Sequence, residues 1–306
     1  MNKTYEAHLE HSRKEGLLGT IRLLCVQMRP KQWSKNLLVL AALVFSFPNV
    51  TMTMFMQSIV GFLLFSFVSG CVYILNDFVD READRQHPEK RNRPMASGAL
   101  NPYMALLFGL IVLIVSIAGA FVFNVSFGVL LTIYFMNNLA YSLRLKHVVI
   151  ADIMVIASGF VLRAIGGALV IQVPFTPWFL ICTMLLALFL AISKRRHELY
   201  LLQENKTEHR KVLESYNPDL LNQLNSIVTS ATITSYALFT FTSGRTLYLM
   251  WTIPFVLYGI FRYLYLIHVK GKGGKPDKIL FEDKHILFTV ILYAISVMVI
   301  LSNFER

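Results

Sequence analysis

Residues 76–84 read Asn-Asp-Phe-Val-Asp-Arg-Glu-Ala-Asp and follow Met56–Leu75, a run without a single charge. That run is long enough to cross a bilayer as a helix, which takes about 20 apolar residues. If the helix continues, 3.6 residues per turn brings Asp77, Asp80 and Asp84 within an arc of about 60°. Asn76 lies one turn before Asp80 on nearly the same side. Three carboxylates this close repel one another unless a cation sits among them. The simplest cation is a divalent metal, and hard oxygen ligands suit Mg²⁺, which keeps open positions for water and substrate phosphates. Arg85, Lys90, Arg91 and Arg93 follow at once, a cluster suited to phosphate oxygens. Charged residues after an apolar helix are ordinarily a solvated loop. Three aspartates on one face, next to an Asn and four bases, instead outline a diphosphate site at a membrane surface.

The rest of the chain sets that site in lipid. Of 306 residues 55% are hydrophobic and 15% charged, with mean hydropathy +0.55, whereas a soluble domain carries about a quarter charged residues. The expected fold class is therefore all-α and polytopic. Nine candidate spans read as 34–53, 56–76, 102–122, 124–142, 149–172, 175–193, 223–243, 246–267 and 285–303. Turn chemistry at Pro48-Asn49, Asn101-Pro102, Pro174, Pro177 and Ser243-Gly244 separates them. The expected organisation is a cytoplasmic or interfacial arm, 1–33, and one nine-helix catalytic domain, 34–306. Met1–Glu15 is polar and has no apolar signal core, so the first span would serve as the insertion signal.

Of the 29 Lys and Arg, 25 fall in the arm through Lys35 and in the segments 77–101, 143–148, 194–222 and 268–284. The alternate loops hold only Arg245. By the positive-inside rule the basic side is cytoplasmic, as in a bacterial-type cytoplasmic membrane, and nine spans put the N-terminus inside and the C-terminus outside. The net charge of +11 is thus explained by topology and by attraction to anionic lipid and substrates, without nucleic acid. Cys25, Cys71 and Cys182 are scattered in apolar runs and read as small hydrophobes, not as metal ligands or a disulfide framework.

Further polar residues gather on the same side. Tyr141, Ser142, Lys146 and Asp152 surround the junction of the fourth and fifth spans. Arg163 lies three turns beyond Asp152 on nearly the same face, inside an apolar span, where a charge faces the protein interior or pairs with backbone carbonyls. Gly159, Gly166 and Gly167 suit close helix packing. Ser193-Lys194-Arg195-Arg196-His197-Glu198 reads as topology marking at a helix end. The basic loop 270–275 lacks the phosphate-loop pattern, and Asp283 beyond it is a candidate second-site carboxylate. Trp33 and its basic neighbours suit an interfacial helix, from which Arg29 and Lys35 could also reach the phosphate site.

Asn-Asp-x-x-Asp-x-x-x-Asp at 76–84 resembles the first signature of the UbiA superfamily of membrane prenyltransferases. The nine-span layout and Tyr141-Ser142 followed by Lys146 and Asp152 fit as well. Four stretches are closer to its decaprenyl-phosphate phosphoribosyltransferase branch: Arg-Pro-Lys-Gln-Trp-Ser-Lys-Asn at 29–36, His-Pro-Glu-Lys-Arg-Asn-Arg-Pro at 87–94, Ser-Gly-Phe-Val-Leu-Arg at 158–163 and Lys-Arg-Arg-His-Glu-Leu at 194–199. Many relatives carry a second carboxylate four residues into the second motif, where this chain has Ile156, which leaves Asp152 alone. The resemblance implies a UbiA-like bundle with a cytoplasm-facing site that moves phosphoribosyl from phosphoribosyl pyrophosphate to a polyprenyl phosphate. It implies Mg²⁺ on Asp77 and Asp80, with Asp84 as a further ligand or outer contact. Asn76, Lys35, Arg85, Lys90, Arg91, Arg93, Tyr141, Lys146, Arg163 and Lys194 are the candidate substrate and phosphate contacts, and Asp152 joins the catalytic carboxylates. Two alternatives stand beside this. One is transfer of an isoprenyl chain from its diphosphate to an aromatic or quinone-precursor acceptor. The other is a non-enzyme, a transporter or lipid-binding protein; a transporter would concentrate polar groups at mid-membrane, whereas here only Arg163 lies there. A homo-oligomer is compatible with the sequence.

Overall fold

The computed structural model of the protein describes residues 16–88, 90–205, 211–271, 279–280 and 282–304. Residues 1–15 of the arm, Glu89 of the 87–94 stretch and 272–275 of the glycine-rich loop lie outside the described residues. Among the described residues the secondary structure is helical throughout, with no strand. In chain order the α-helices are α1 (Leu17–Gln27), α2 (Ala41–Phe45), α3 (Met52–Val79), α4 (Arg81–Gln86), α5 (Pro102–Phe123), α6 (Val125–Leu143), α7 (Ala151–Val170), α8 (Pro177–Asn205), α9 (Pro218–Thr242), α10 (Ile253–His268) and α11 (Lys284–Phe304). Six helical segments among the described residues are long and apolar enough to cross a membrane: α3, α5, α7, Pro177–Tyr200 of α8, Leu247–His268 and α11. Helices α6 and α9 have comparable length but carry Asn137 and Asn138, or Asn222, Gln223 and Asn225.

Helix starts follow from local chemistry. Asn101 Oδ1 accepts the amides of Tyr103 and Met104 at 2.9 and 3.3 Å ahead of α5, with Pro102 in the first turn. Asn217 Oδ1 does the same for Leu220 at 2.7 Å ahead of α9, where Pro218 begins the helix. Each cap satisfies amides that the helix itself leaves bare, and proline loses nothing at a position with no acceptor for its N–H. The stretch expected as the first span, 34–53, differs most from its reading. It is a 3₁₀ segment, Pro30–Leu40, followed by the short α2. Asn36 is buried within it and donates to Ser66 and Ser69 of α3 at 3.1 Å each, so a polar side chain is satisfied inside the protein at a place where an apolar span would have none.

The chain divides into two compact units. Unit 1 is Met1–Asn36 with Leu63–Leu143. Its core brings Leu24 and Met28 against Ile74, Met95, Leu100 and Ala105, with Trp33, Phe67 and Phe78 at the margin. Trp33 meets Phe67 edge-on at 5.8 Å and donates to the Met28 carbonyl at 3.2 Å. The arm's last residues are therefore packed on the aspartate-bearing half of α3. Unit 2 is Leu37–Phe62 with Arg144–Arg306. Its core joins Ile153, Phe189, Ile192, Leu221, Ile260, Tyr263 and Leu266. Gly167 of α7 lets the 3₁₀ segment come close, since a Cβ there would stand 2.1 Å from the Val39 carbonyl oxygen.

Candidate active site

Helix α3 runs on to Val79, pauses at Asp80 and resumes as α4. The amide bonds from Asp80 to the Asn76 carbonyl, 2.9 Å, and from Asp84 to that of Asp80, 2.8 Å, persist through the pause. The spiral is thus nearly continuous, and the one-face reading carries through for Asp77 and Asp84. Both are buried, at 2% exposure, and both accept from Nη1 of Arg93: Asp77 Oδ1 at 3.0 Å, Asp84 Oδ2 in a shorter contact. Arg29 Nη2 makes a second close ion pair with Asp77 Oδ1, and Gln27 Nε2 donates to Asp77 Oδ2 at 2.5 Å. Lys90 Nζ stands 3.9 Å from Asp84 Oδ1. Asp80 and Asn76 are half-buried beside this group.

The cluster opens on a cleft of about 280 Å³ lined by Gln27, Arg29, Asp77, Asn92, Arg93 and Pro94. Two cations, Arg29 and Arg93, and one carboxylate, Asp77, line it, so the walls keep an excess of positive charge for an anionic occupant. Burial pushes the Asp84 carboxyl up from its ordinary range and the charge of Asp77 adds to this, while Arg93 and Lys90 hold it down, with a net rise. Arg29 has φ 52°, in the left-handed region. It follows the αR cap Met28 at the end of α1, where glycine is the usual residue, and a side chain there costs about 1 kcal/mol. The chain tolerates that strain at a residue whose guanidinium reaches Asp77.

Among the described residues no three His, Cys, Asp or Glu side chains gather as a metal cluster. The three-aspartate ligand set read from the sequence is drawn together in part, with Arg93 between Asp77 and Asp84. The donors nonetheless fit a small hard cation in kind. Beyond the two carboxylates, Gln27 Oε1 on the cleft wall is buried without a hydrogen-bond partner. Its amide cannot be turned round without setting Oε1 against the Asp77 carboxylate. An acceptor kept bare in such a place is a hard-oxygen ligand position.

The other expected contacts fall in different surroundings. Arg85 pairs with Glu82 and with the Ala96 carbonyl, and Arg91 is exposed. Lys35 and Tyr141 are half-buried. In unit 2, Asp152 is fully buried at the start of α7. It accepts from Arg195 Nε at 2.6 Å and from the Tyr216 hydroxyl at 2.7 Å. Arg195, 1% exposed, also donates to Glu198 at 2.5 Å. Tyr216 in turn accepts the amide of Ile150, 2.8 Å, a residue held at φ 68°. Burial and the neighbouring Asp152 push the Tyr216 hydroxyl up to about 12, so it stays protonated and keeps donating. Lys146 is buried in the turn just before. Arg163 donates to the Gly159 carbonyl of its own helix at 2.8 Å and lies over the Phe160 ring. Lys194 Nζ is 3.9 Å from Glu198. Asp283, the candidate second-site carboxylate, pairs with Arg262 at 2.8 Å and caps α11 through the Ile286 amide, 3.0 Å.

Gln27, Asn92, Arg195 and Tyr216 are the residues that the sequence reading passed over. Gln27 precedes a motif of basic residues but has nothing of its own to mark it. Arg195 was hidden in a run of bases that also suits topology, although its i, i+3 spacing to Glu198 was a signal.

The sequence profile described as the UbiA prenyltransferase family matches residues 36–301. The chain is 34% identical to decaprenyl-phosphate phosphoribosyltransferase of Corynebacterium glutamicum over 269 residues, covering 84% of this chain and 80% of that protein. It is 31% identical to the protein of the same name from Mycobacterium tuberculosis over 264 residues, covering 84% and 87%. Its fold is similar to that of a UbiA homolog from Archaeoglobus fulgidus bound to GPP and Mg²⁺, with TM-score 0.70 at 20% identity over 90% of this chain and 99% of the other.

Proposed function

The chain belongs to the UbiA prenyltransferase family, and from that premise we propose that it transfers 5-phosphoribosyl from phosphoribosyl pyrophosphate to a polyprenyl phosphate and releases pyrophosphate. One observation carries the reading: the Asp77 cleft has more cations than carboxylates and keeps a bare buried oxygen, Gln27 Oε1, on its wall. Such a wall suits a donor that is rich in phosphate and travels with a divalent cation. The names of the two bacterial relatives point to the same donor and acceptor.

In the reaction the bond from the anomeric carbon to the pyrophosphate oxygen breaks, and a bond from that carbon to an acceptor phosphate oxygen forms. Arg29 and Arg93 swing part of their hydrogen bonding from Asp77 to phosphate oxygens, each contact being worth about 1.5–3 kcal/mol. Asp77 holds both guanidinium groups in place before the donor arrives, so little order has to be imposed on binding. Asp77, Asp84 and Gln27, with Asp80 as the remaining carboxylate, would hold Mg²⁺, which would supply positive charge to the departing diphosphate. The acceptor, a phosphate monoester with second pKa near about 6, is already anionic at neutral pH, so no side chain has to remove a proton from it. Asp152, with Arg195 and Tyr216 on its two oxygens, serves as a brace that fixes the turn bearing Lys146.

The test is a product assay with purified protein, Mg²⁺ and decaprenyl phosphate. Phosphoribosyl pyrophosphate should yield a phosphoribosylated lipid and stoichiometric pyrophosphate. Turnover of geranyl diphosphate with an aromatic acceptor, and none with phosphoribosyl pyrophosphate, would replace this reading with ordinary prenyl transfer.

A further inference from the structure

A second cleft lies within unit 2, and none of the residues assigned above to the reaction lines it. About 300 Å³ in volume, it is lined by Asn222, Asn225, Ser226, Thr229 and Ser230 of α9 and by His268 at the end of α10. Six polar side chains side by side are unusual on helices of a chain this apolar, and none of the six is a carboxylate. Thr229 Oγ1 is buried with no hydrogen-bond partner. Its neighbours show what a helical hydroxyl does when nothing else claims it: Ser226 donates to the Asn222 carbonyl at 3.0 Å and Thr232 to that of Val228 at 2.7 Å. Thr229, a residue of the cleft wall, alone of these three leaves its hydroxyl without a partner, and a buried polar atom without a partner calls for an occupant.

Positive charge stands at the rim. Arg196 Nε donates to Asn222 Oδ1 at 2.5 Å, which uses one of five guanidinium donors. Amide, hydroxyl, imidazole and guanidinium donors without an opposing carboxylate describe an oxyanion site. The same two helices carry exposed apolar side chains: Ile227 on α9 is 59% exposed and Phe261 on α10 is 57% exposed, surfaces suited to hydrocarbon chains. The residues sit in the first half of α9 and the last turns of α10, near the segments 194–222 and 268–284 where Lys and Arg concentrate.

We propose that this cleft binds a phosphate oxyanion, carried by a membrane lipid headgroup or as the free anion. The phosphate accepts from Arg196, the Asn222 amide, Ser230, Thr229 and His268, and in the lipid case the chains run along Ile227 and Phe261.

Thermal unfolding of the full chain, purified in detergent without phospholipid, tests this with three probes: dioleoyl phosphatidylglycerol, inorganic phosphate and dioleoylglycerol, which lacks the phosphate. Ser230→Leu at the exposed mouth fills the cleft, Arg196→Ala removes the charge, and Thr229→Val removes the open hydroxyl at constant shape. Phosphatidylglycerol should raise the Tm while dioleoylglycerol does not, and the half-saturating concentration should rise roughly tenfold or more in Ser230→Leu and Arg196→Ala. Thr229→Val should fold as well as the parent and bind more weakly. A shift with inorganic phosphate that the same variants abolish assigns the site to the free anion. A shift with phosphatidylglycerol that survives Ser230→Leu and Arg196→Ala, or an equal shift with dioleoylglycerol, overturns the proposal.

Discussion

Asp77 is 2% exposed yet accepts from Gln27, Arg29 and Arg93. Breaking an enclosed ion pair costs about 3–5 kcal/mol, because the remaining charge is left without compensation. Arg29 and Arg93 are about a quarter exposed, so water screens part of that loss. Asp77→Asn should therefore lower the Tm measurably, by an amount equivalent to about 2 kcal/mol, as well as remove Mg²⁺-dependent turnover. An unchanged melting curve would show that the carboxylate does not hold the two arginines. Arg29→Gly separates backbone from charge. Glycine relieves the φ of 52°, which returns about 1 kcal/mol and offsets part of the loss of one guanidinium beside Asp77, so stability should fall less than in Asp77→Asn, while affinity for phosphoribosyl pyrophosphate falls by tenfold or more, roughly the loss of one charge-assisted contact. Asp84 carries the pH dependence. Its carboxyl lies above its ordinary 3.8, chiefly through burial, so folding favours the protonated form. The contribution to ligand-free stability is full below 3.8 and is lost as pH rises through the elevated value. Chemical denaturation across that window should show the decline in the parent and its absence in Asp84→Asn; equal slopes would exclude Asp84 as its source.

Between elements, the informative contacts are those that tie a turn to a distant helix. Tyr216 donates a hydrogen bond to Asp152 and accepts the Ile150 amide 66 positions earlier in the chain. Tyr216→Phe should cost about 1–3 kcal/mol, since the buried Asp152 carboxylate and the Ile150 amide lose a partner at once. If the turn it fixes presents Lys146 to substrate, KM should rise more than kcat falls; a loss of stability with both constants unchanged would make Tyr216 purely structural. Gly167→Ala would set a Cβ against the Val39 carbonyl, a backbone group with no rotamer to retreat into. It should destabilise far more than Gly259→Ala, where the nearest atom is an ordinary 3.8 Å away. The helices themselves were legible from apolar runs and from the Asn-Pro pair at 101–102, whereas the Asn217-Pro218 cap starts α9 ahead of the expected span at 223. The 3₁₀ segment was not, because Pro30–Leu40 is fixed by burial of Asn36 on Ser66 and Ser69 and by the glycine gap at 167, none of which leaves a local pattern. The site was half legible for the same reason. Asp77, Asp84 and Arg93 share one motif, whereas Gln27 comes from 50 positions away.

For the molecule as a whole, the basic residues and the helix count have to agree on topology. Six helical segments are long and apolar enough to cross, with α6 and α9 of similar length. The 3₁₀ segment with α2 would reach roughly 30 Å if laid end to end, at about 2.0 and 1.5 Å per residue, which is enough for a bilayer core. We propose that it crosses and that the chain therefore ends outside. Impermeant thiol labelling of intact cells, in a background without the three native cysteines, should modify Ser302→Cys and spare Ser97→Cys; the reverse pattern would invert the orientation.

The account stands or falls on what the Asp77 cleft recognises. The most direct measurement is calorimetric titration of phosphoribosyl pyrophosphate and of free pyrophosphate, each with Mg²⁺, into the parent and into Arg29→Gly and Arg93→Ala. The parent should bind the phosphoribosyl compound more tightly than pyrophosphate, and each variant should weaken it by tenfold or more, roughly the effect of one lost charge-assisted contact. Equal binding of the two ligands by the parent, or binding that both variants leave intact, would contradict the assignment of this cleft to a phosphoribosyl donor.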